Sequence, residues 1–443
     1  SVQNSDPAIA SAAIEDGKLV IDYTDALGHT DLRITATDAD GHSVTDNVRV
    51  RVAGENAYTI AVLPDTQDYT NAARVGIFKN MTNWLVENKD SLGLQFVIHV
   101  GDITTNNSDA NHWPFAEEAL RILDGKIPYS LLPGNHDQNT GNAANHSTNP
   151  LDIRFSPEKQ AATNPDTFGG VYDQEPNRSA NNYHSFTAPD GTKWLVLSLE
   201  FGARDDVLRW AGEVIEDHLD HRVILANHSY MNWAGRHDAT GAPLYDEGTG
   251  YDYGMGSSIQ GANDGETMYR ALVQKYPNVT FTFSGHIFGD GAETLVSYDQ
   301  FGNPVHQMMV NYQNGVAAEI TSGAGAGSGS NGGNGAIRLL TIDPDNNAVY
   351  TSTYFTQLDD YFDSVRGDGE LDRDGLTGAY RDHEQTFSDV DMGTPEIPAI
   401  AKAGNDQFVT AEAGQDKATV TLDGDWTLNP GNEQRDYWGS ASV

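Results

Sequence analysis

The stretch Thr59-Ile60-Ala61-Val62-Leu63, followed at once by Pro64-Asp65-Thr66-Gln67, sets the grammar of the central chain. An apolar, β-favouring run with no polar alternation reads as a strand buried on both faces, the kind found in parallel sheets covered by helices. Downstream, Ile77, Phe78, Met81, Trp84 and Leu85 recur at the period of an amphipathic helix. Further apolar runs stand at 96–100, 129–132, 194–199, 223–226 and 279–283, with helical patterns near 116–123, 205–215 and 268–275 between them. Buried strands alternating with amphipathic helices predict βαβ units, hence an α/β fold with a largely parallel sheet. From 295 onward the runs 295–298, 307–311, 337–342 and 349–355 are strand-like again, which predicts a second sheet packed on the first.

Outside this core the patterns change. Leu19, Ile21 and Tyr23, then Leu32, Ile34 and Ala36, then Val48, Val50 and Val52 alternate with polar residues, as short antiparallel strands do. Asp38-Ala39-Asp40-Gly41 reads as a hairpin turn in preference to a calcium site. Residues 138–182 are rich in Asn, Gly, Pro and Asp and too long for a simple connection, so a lid or substrate-facing loop is expected there. The Gly/Ser/Asn tract 323–335 reads as a flexible segment. Pro395-Glu396-Ile397-Pro398 resembles a linker, and Val420 and Leu422 suggest a further strand. The predicted organisation is therefore a β-rich segment over 1–54, a main domain over 55–392, and a linker with the start of a β module over 393–443.

A net charge of -38 argues against nucleic acid and anionic membranes as partners. A phosphate-bearing substrate would approach only where bound cations reverse the local field. The absence of cysteine excludes disulfide frameworks and thiolate metal sites, and leaves the compartment open. No apolar run has the length of a membrane-spanning helix.

Several core strands end alike, in a sharp turn carrying ligand-type side chains: Pro64-Asp65-Thr66-Gln67, Gly101-Asp102, Gly134-Asn135-His136-Asp137 and Gly285-His286, with Asn227-His228 ending another run without a glycine. Ligands of open α/β sheets bind beyond the carboxyl ends of strands, so these groups are placed to converge on one crevice. Each has an ordinary reading when taken alone: Asp65 as a helix N-cap, Gly-Asp as a turn, His228 as a packed histidine. Together, carboxylate and amide oxygens with imidazoles suit Mn, Fe, Zn or Mg, whereas an all-oxygen shell suits Ca.

In this order, Asp65…Gly101-Asp102…Gly134-Asn135-His136-Asp137…His228…Gly285-His286 resembles the calcineurin-like metallophosphoesterases over roughly residues 57–355. The likeness is sharper to a secreted bacterial branch, through Leu63-Pro64-Asp65-Thr66-Gln67, Leu199-Glu200-Phe201-Gly202…Arg204-Asp205, and Gln307-Met308-Met309-Val310-Asn311-Tyr312-Gln313. The resemblance implies a four-layer α/β/β/α sandwich. It implies one or two divalent ions, with Asp65 and Gln67 on the first, Asp102 bridging, and Asn135, His228 and His286 on the second. His136 would protonate the leaving group or orient the phosphate, with Asp137 holding its imidazole. The implied activity is metal-dependent hydrolysis of a small phosphate ester, mono or di, by water activated at the ions, in a protein secreted by or displayed on a bacterium.

The chain departs from the family pattern in two places. Gln67 stands where most members have His, and Gly285-His286-Ile287-Phe288 ends in a residue that cannot bind metal. A strong second site and a weakened first site are therefore expected, with Asp290 and His99 as the nearest substitutes for the missing ligand. His99 is more simply read as a core-strand histidine. Arg204, His237, Tyr251 and Tyr253 are placed in polar loops where they could meet a phosphate or its substituent. Glu370-Leu371-Asp372-Arg373-Asp374-Gly375 resembles half a structural calcium loop but has Arg381 where the closing glutamate belongs. Residues 1–54 resemble a cadherin- or immunoglobulin-like repeat, and 401–438 the start of a polycystic-kidney-disease-type module. Such modules attach enzymes to a cell surface or polymer. The competing reading is a catalytically weakened member of the family that serves in binding or adhesion.

Overall fold

The structure, a computed structural model, describes residues 1–107, 111–138, 146, 150–232, 235–236, 253, 255, 262–287, 291–313, 331–362, 383–388, 390, 392, 400–401 and 426–427. The opening stretch forms the first core strand, β1 (Tyr58–Leu63), and helix α1 (Val75–Glu87) follows. Then come β2 (Leu94–His99), α2 (His112–Leu120) and β3 (Tyr129–Ser130). The next series is β4 (Phe168–Val171), β5 (Asn182–Thr187), β6 (Lys193–Leu199), α3 (Asp205–Asp217) and β7 (Arg222–Asn227). It continues through α4 (Gly265–Ala271), β8 (Val279–Ser284), β9 (Ala292–Tyr298) and β10 (Pro304–Val310). Strands β11 (Ala336–Asp343), β12 (Ala348–Phe355) and β13 (Gln385–Ser388) close the domain.

These strands make two seven-stranded sheets. In one, β12, β11, β1, β2 and β3 lie in that order, with β13 and the short strand Asp360–Tyr361 also on β12. The other runs β9-β10-β8-β7-β6-β5-β4. Pairing is parallel at each centre (β1–β2–β3, and β6–β7–β8–β10) and antiparallel toward the edges. The sequence pattern predicts one parallel sheet backed by a sheet of the late strands, and this is corrected. Strands β9 and β10 extend one sheet, whereas β11 and β12 extend the other. Nothing in a strand's local pattern encodes which edge it will join, because that depends on pairings far along the chain.

Alternation within β1 shows how the layers arise. Ile60 and Val62 point into a core shared with Val196, Ile224, Phe281 and Met308 of the opposite sheet. Ala61 and Leu63 point the other way, onto Phe78, Met81 and Leu85 of α1 and Trp113 of α2. The second sheet repeats this, with Leu195, Leu197 and Leu225 packed on Val207, Leu208, Ala211 and Ile215 of α3. The result is the expected α/β/β/α sandwich. Full burial of each such side chain contributes about 1.5–3 kcal/mol. Across the middle, Trp194 Nε1 donates to the Tyr58 hydroxyl at 2.8 Å, joining the sheets where an apolar core would otherwise leave both groups unsatisfied.

The described part of 138–182 carries more regular structure than the expected loop. It holds helices Pro150–Arg154 and Pro157–Thr163 and the edge strand β4. Each helix begins on a proline, whose preset φ and missing N–H suit a first helical position, so composition typical of loops here serves helix starts. Of the tract 323–335, residues 331–335 are described, and the Gly332 carbonyl accepts from the Tyr69 hydroxyl. The half calcium loop at 370–375 lies outside the described residues.

The N-terminal segment pairs Val2–Asn4, Gly28–Thr37 and Ser43–Val52 in one sheet, and Ala10–Glu15 with Lys18–Tyr23 in a hairpin. Its own core is small: Ala10, Leu32 and Val50. Arg49 and Arg51 both reach Glu384, at 3.1 and 3.0 Å, so partly buried ion pairs tie this segment to the main domain, and Arg49 also grips Asp31 within the segment. Among the described residues no helix is long and apolar enough to cross a membrane.

Candidate metal centre

Parallel pairing puts the carboxyl ends of β1, β2 and β3 and of β7, β8 and β10 at one rim, where the two sheets meet. Asp65 follows β1, Asp102 follows β2, His228 follows β7, His286 follows β8 and Asn311 follows β10. All five are at least 95% buried, so their ligand atoms must be satisfied by each other or by something they hold.

Around His228 they are not satisfied by donors. Its Nδ1 lies 2.9 Å from the Val100 carbonyl, which can only accept, so Nδ1 carries the proton. Nε2 then faces the Asn135 Oδ1 at 3.2 Å and the Asp102 Oδ1 at 3.2 Å. Three lone-pair atoms meet in one place, which requires a positive species between them: a second proton on the ring, or a cation. Without a cation the proton takes that role. Burial works against a charged His228, but the Asp102 and Asp65 carboxylates outweigh it and push its pKa up to about 9. Burial likewise opposes the Asp102 charge, and the His228 charge prevails, holding Asp102 at about 2. Asp65 is pushed well above the carboxylate range, first by burial and then by the Asp102 charge, against the pull of His228. Asp102, His228 and His286 each offer a ligand atom within 4.8 Å of the others. The residues fit a divalent ion.

The local backbone is shaped for this approach. Asp102 and His286 both hold left-handed φ values, +47° and +69°, which cost about 1–3 kcal/mol each and concentrate at functional sites. A Cβ on Gly134 would lie 2.1 Å from Asp102 Oδ1, and one on Gly285 would lie 2.1 Å from Asp65 Oδ1. Only glycine lets the turns come this close.

Asp65 and Gln67 form the other half of the site. The Asp65 Oδ2 accepts from Asn311 Nδ2 at 3.1 Å and from Gln313 Nε2 at 3.0 Å, and both carboxylate oxygens lie 3.2 Å from the His286 amide nitrogen. Gln67 Nε2 donates to Gln313 Oε1 at 2.8 Å, and Gln67 Oε1 is buried with no hydrogen-bond partner. Asn311 and Gln313 belong to the 307–313 motif, which carried family likeness in the sequence but no assigned role. Polar residues just past an apolar strand run were the signal available.

His136 and Asp137 do not pair as expected. His136 Nδ1 donates to the Thr105 carbonyl at 2.7 Å, and its backbone N–H goes to Asp102 Oδ1 at 2.9 Å. Asp137 is wholly buried and accepts instead from the amides of Ile103, Thr104 and Gly134 and from the Thr104 hydroxyl. Its carboxylate thus clamps the Asp102 turn to the Asn135 turn. The short helical turn 135–137 points neighbouring side chains to different sides, which is why adjacency in sequence misled here. Burial and the Asp102 charge push Asp137 up to about 6.

Other expected contacts are also corrected. The Arg204 guanidinium is engaged by Glu200 and Glu175, with Nε–Oε1 and Nη2–Oε2 distances of 2.7 Å, leaving little of it for a phosphate. His99 has both ring nitrogens in use, Nδ1 accepting from the Gly101 amide and Nε2 facing the Thr66 hydroxyl, so it is a core histidine and not a metal ligand. Tyr253 does stand at the site: its ring centroid is 5.2 Å from that of His286 and it is 39% exposed. His237, Tyr251, Phe288 and Asp290 lie outside the described residues.

Comparison with known proteins adds the following. A family model described as calcineurin-like phosphoesterase matches residues 58–289. The uncharacterized protein YvnB of Bacillus subtilis (strain 168) is 26% identical over 323 residues, covering 70% of this chain. This chain spans only 21% of that relative's length. Among solved structures, purple acid phosphatase PPD1 from yellow lupin (Lupinus luteus) seeds aligns with 87% of this chain and 72% of its own at 13% identity and a TM-score of 0.41. GAP50 of the Plasmodium inner membrane complex aligns with 69% of this chain and 87% of its own at 11% identity and a TM-score of 0.37. Likenesses at these scores carry no weight beside the family match.

Proposed function

Because the chain belongs to the calcineurin-like phosphoesterase family, whose model spans 58–289, we propose that it is a metal-dependent hydrolase of small phosphate esters. Asp102, Asn135, His228 and His286 would hold one divalent ion, and Asp65 and Gln67, with Asp102 shared, a second. Ions bound there neutralise phosphoryl oxygens and lower the pKa of water, the chemistry that in-line displacement at phosphorus needs. The observation that carries this reading is the meeting of the Asp102 and Asn135 oxygens at His228 Nε2, 3.2 Å from each.

The chain's own groups supply the rest. With Nδ1–H bound to the Thr105 carbonyl, the His136 ring is held so that Nε2 is its free end, half-exposed at the rim. A protonated Nε2 can donate to the departing alkoxide, a contribution typically worth about 10²–10⁴-fold. Asp137 acts one step removed, by holding the turns that carry Asp102 and His136. Tyr253 is placed to line the space for the ester's substituent, next to His286.

The Leu63-Pro64-Asp65-Thr66-Gln67 motif and the net charge of -38 support a secreted or cell-surface bacterial enzyme. On that reading residues 1–54 and 393–443 are flanking β modules for spacing or attachment. The competing view, a weakened binding or adhesion module, rests on Phe288 and the β flanks, and no feature of the described site favours it.

The test is direct. Protein purified without added salts is expected to carry close to one tightly held ion by elemental analysis. D102A and H228A should each lose it, and with it hydrolysis of aryl and bis-aryl phosphates by about 10²–10³-fold, as for loss of a main electrostatic element. Chelation should stop the wild type reversibly. Hydrolysis that survives both substitutions and chelation would sink the proposal.

A further inference from the structure

Resting on the phosphoesterase reading, we propose that Gln313 is a positioning residue for the first ion: it turns the Gln67 amide so that its carbonyl oxygen is presented as an ion ligand. The motif at 285–288 offers a single histidine, so the first-ion half must find its donors elsewhere.

The orientation follows from a chain of hydrogen bonds that starts at a charge. An Asp65 that holds a cation is a carboxylate, whose Oδ2 can only accept, so the Gln313 end 3.0 Å from it must be the NH₂ group. The other end of that amide, Oε1, therefore faces Gln67 at 2.8 Å and demands a donor, which fixes Gln67 with its Nε2 toward Gln313. Reversing Gln313 would set carbonyl against carboxylate and NH₂ against NH₂, and reversing Gln67 would set carbonyl against carbonyl. Gln67 is thus left with its acceptor end pointing away from Gln313, in a buried position, with no protein donor among the described residues.

A lone buried carbonyl keeps its desolvation penalty unless something satisfies it. Asp65 points to what that is. Its Oδ2 is saturated by two side-chain amides, Asn311 and Gln313, while Oδ1 shares only the His286 backbone N–H with Oδ2. An open carboxylate oxygen and an open amide oxygen on neighbouring residues repel a phosphate and attract a cation. Because the available donors on this side are oxygens, the ion of choice is hard, Mn or Mg in preference to Zn. Gln313 itself is anchored, its backbone N–H donating to Asn311 Oδ1 at 3.2 Å.

Titration of metal-stripped full chain with Mn alone, read by calorimetry and by electron paramagnetic resonance, tests this without any measurement of activity. The wild type should bind one ion tightly and another more weakly. Gln313→Leu should weaken the weaker ion by about 10–100-fold, as loss of an outer-shell partner does, and leave the tight one alone. In a Gln67→Ala background the same change should cost nothing further, and Gln67→His should rescue Gln313→Leu, since an imidazole needs no amide to turn it. Should Gln313→Leu fail to fold, Gln313→Glu serves. It keeps an acceptor for Gln67 Nε2, so the weaker ion should bind at least as well as in the wild type, while the metal-free protein melts lower from charge set against Asp65. Gln313→Leu binding both ions as the wild type does, a cost that persists without Gln67, weaker Mn binding by Gln313→Glu, or no weaker ion in the wild type would each overturn the inference and leave the phosphoesterase reading standing. A wild type with no tight ion, or a tight ion that survives H228A, would instead overturn that reading.

Discussion

The two halves of the candidate metal centre solve the same electrostatic problem differently. Around His228, acceptors face acceptors: Asp102 and Asn135 oxygens converge on a ring nitrogen, and only a proton or a cation reconciles them. Around Asp65, donors have been brought in, with the amides of Asn311, Gln313 and His286 spread over one carboxylate. A buried carboxylate that accepts several N–H bonds gains less from an ion than Asp102, which accepts the one backbone N–H of His136. The contrast teaches that a ligand's residue type says little about how strongly a site wants metal. What its lone pairs already meet decides that.

The comparison can be broken most severely at Gly134. A methyl there would overlap Asp102 Oδ1 and the Asp102 backbone nitrogen, 2.1 and 2.3 Å away, so the turn carrying the shared ligand must move. Gly134→Ala is expected to release the tight ion and lower turnover by about 100-fold, the usual cost of an ångström of misplacement. If elemental analysis still finds the ion in place, the convergence at His228 is not what binds it.

A smaller effect should sharpen the other half. Asn311→Leu removes one donor from Asp65 and leaves buried charge less compensated. The metal-free protein should lose about 1–3 kcal/mol of stability, while added Mn restores more than it does for the wild type. Chemical denaturation with and without Mn measures both. Equal gains from Mn in the two proteins would mean Asp65 does not trade donors for an ion.

The smallest expected effect lies away from the rim, where an unpartnered nitrogen has no companions. Both ring nitrogens of His306 are buried without hydrogen bonds, its ring lying 4.6 Å from that of Phe387 and 5.6 Å from that of Phe281. Among the described residues no second ligand joins it, so it reads as an acid liability. Burial lowers its pKa to about 4 from 6.5. The unfolded chain takes up this proton as pH drops below 6.5 while the folded chain refuses it until about 4, so the stability it contributes is full above 6.5 and drains away through that window. At about pH 5 the loss from this one group is about 2 kcal/mol. His306→Phe should therefore flatten the acid limb of the stability curve and change little above neutrality. An unchanged limb would show that this nitrogen is hydrated in the folded state.

Much of the fold was legible because it is written in local periodicity. The alternation inside β1, the helical spacing of Phe78, Met81 and Leu85, and the apolar runs of β6, β7 and β8 each report burial within a few residues, and the α/β/β/α layers follow from them. So were the glycine-led strand endings, since a sharp turn bearing ligand-type side chains is a local feature. Asp65, Asp102, Asn135, His228 and His286 do meet at one rim. Other features were not legible, because they depend on partners far apart in the chain. The residue beside His136 turned out to hold backbone amides, and a carbonyl 31 residues back took the imidazole. Arg204 proved to be engaged by Glu175, 29 residues away.

By itself, then, the sequence determined which strands are buried, where they end, and which ligand types stand at those ends, since side-chain period and turn chemistry act over short range. The tertiary structure alone decided which sheet the late strands join, and that Gln313, 246 residues from Gln67, faces it across the site. Hydrogen bonds and charges are settled by whatever ends up within about 3 Å, and no stretch of sequence specifies that distance until the chain has packed.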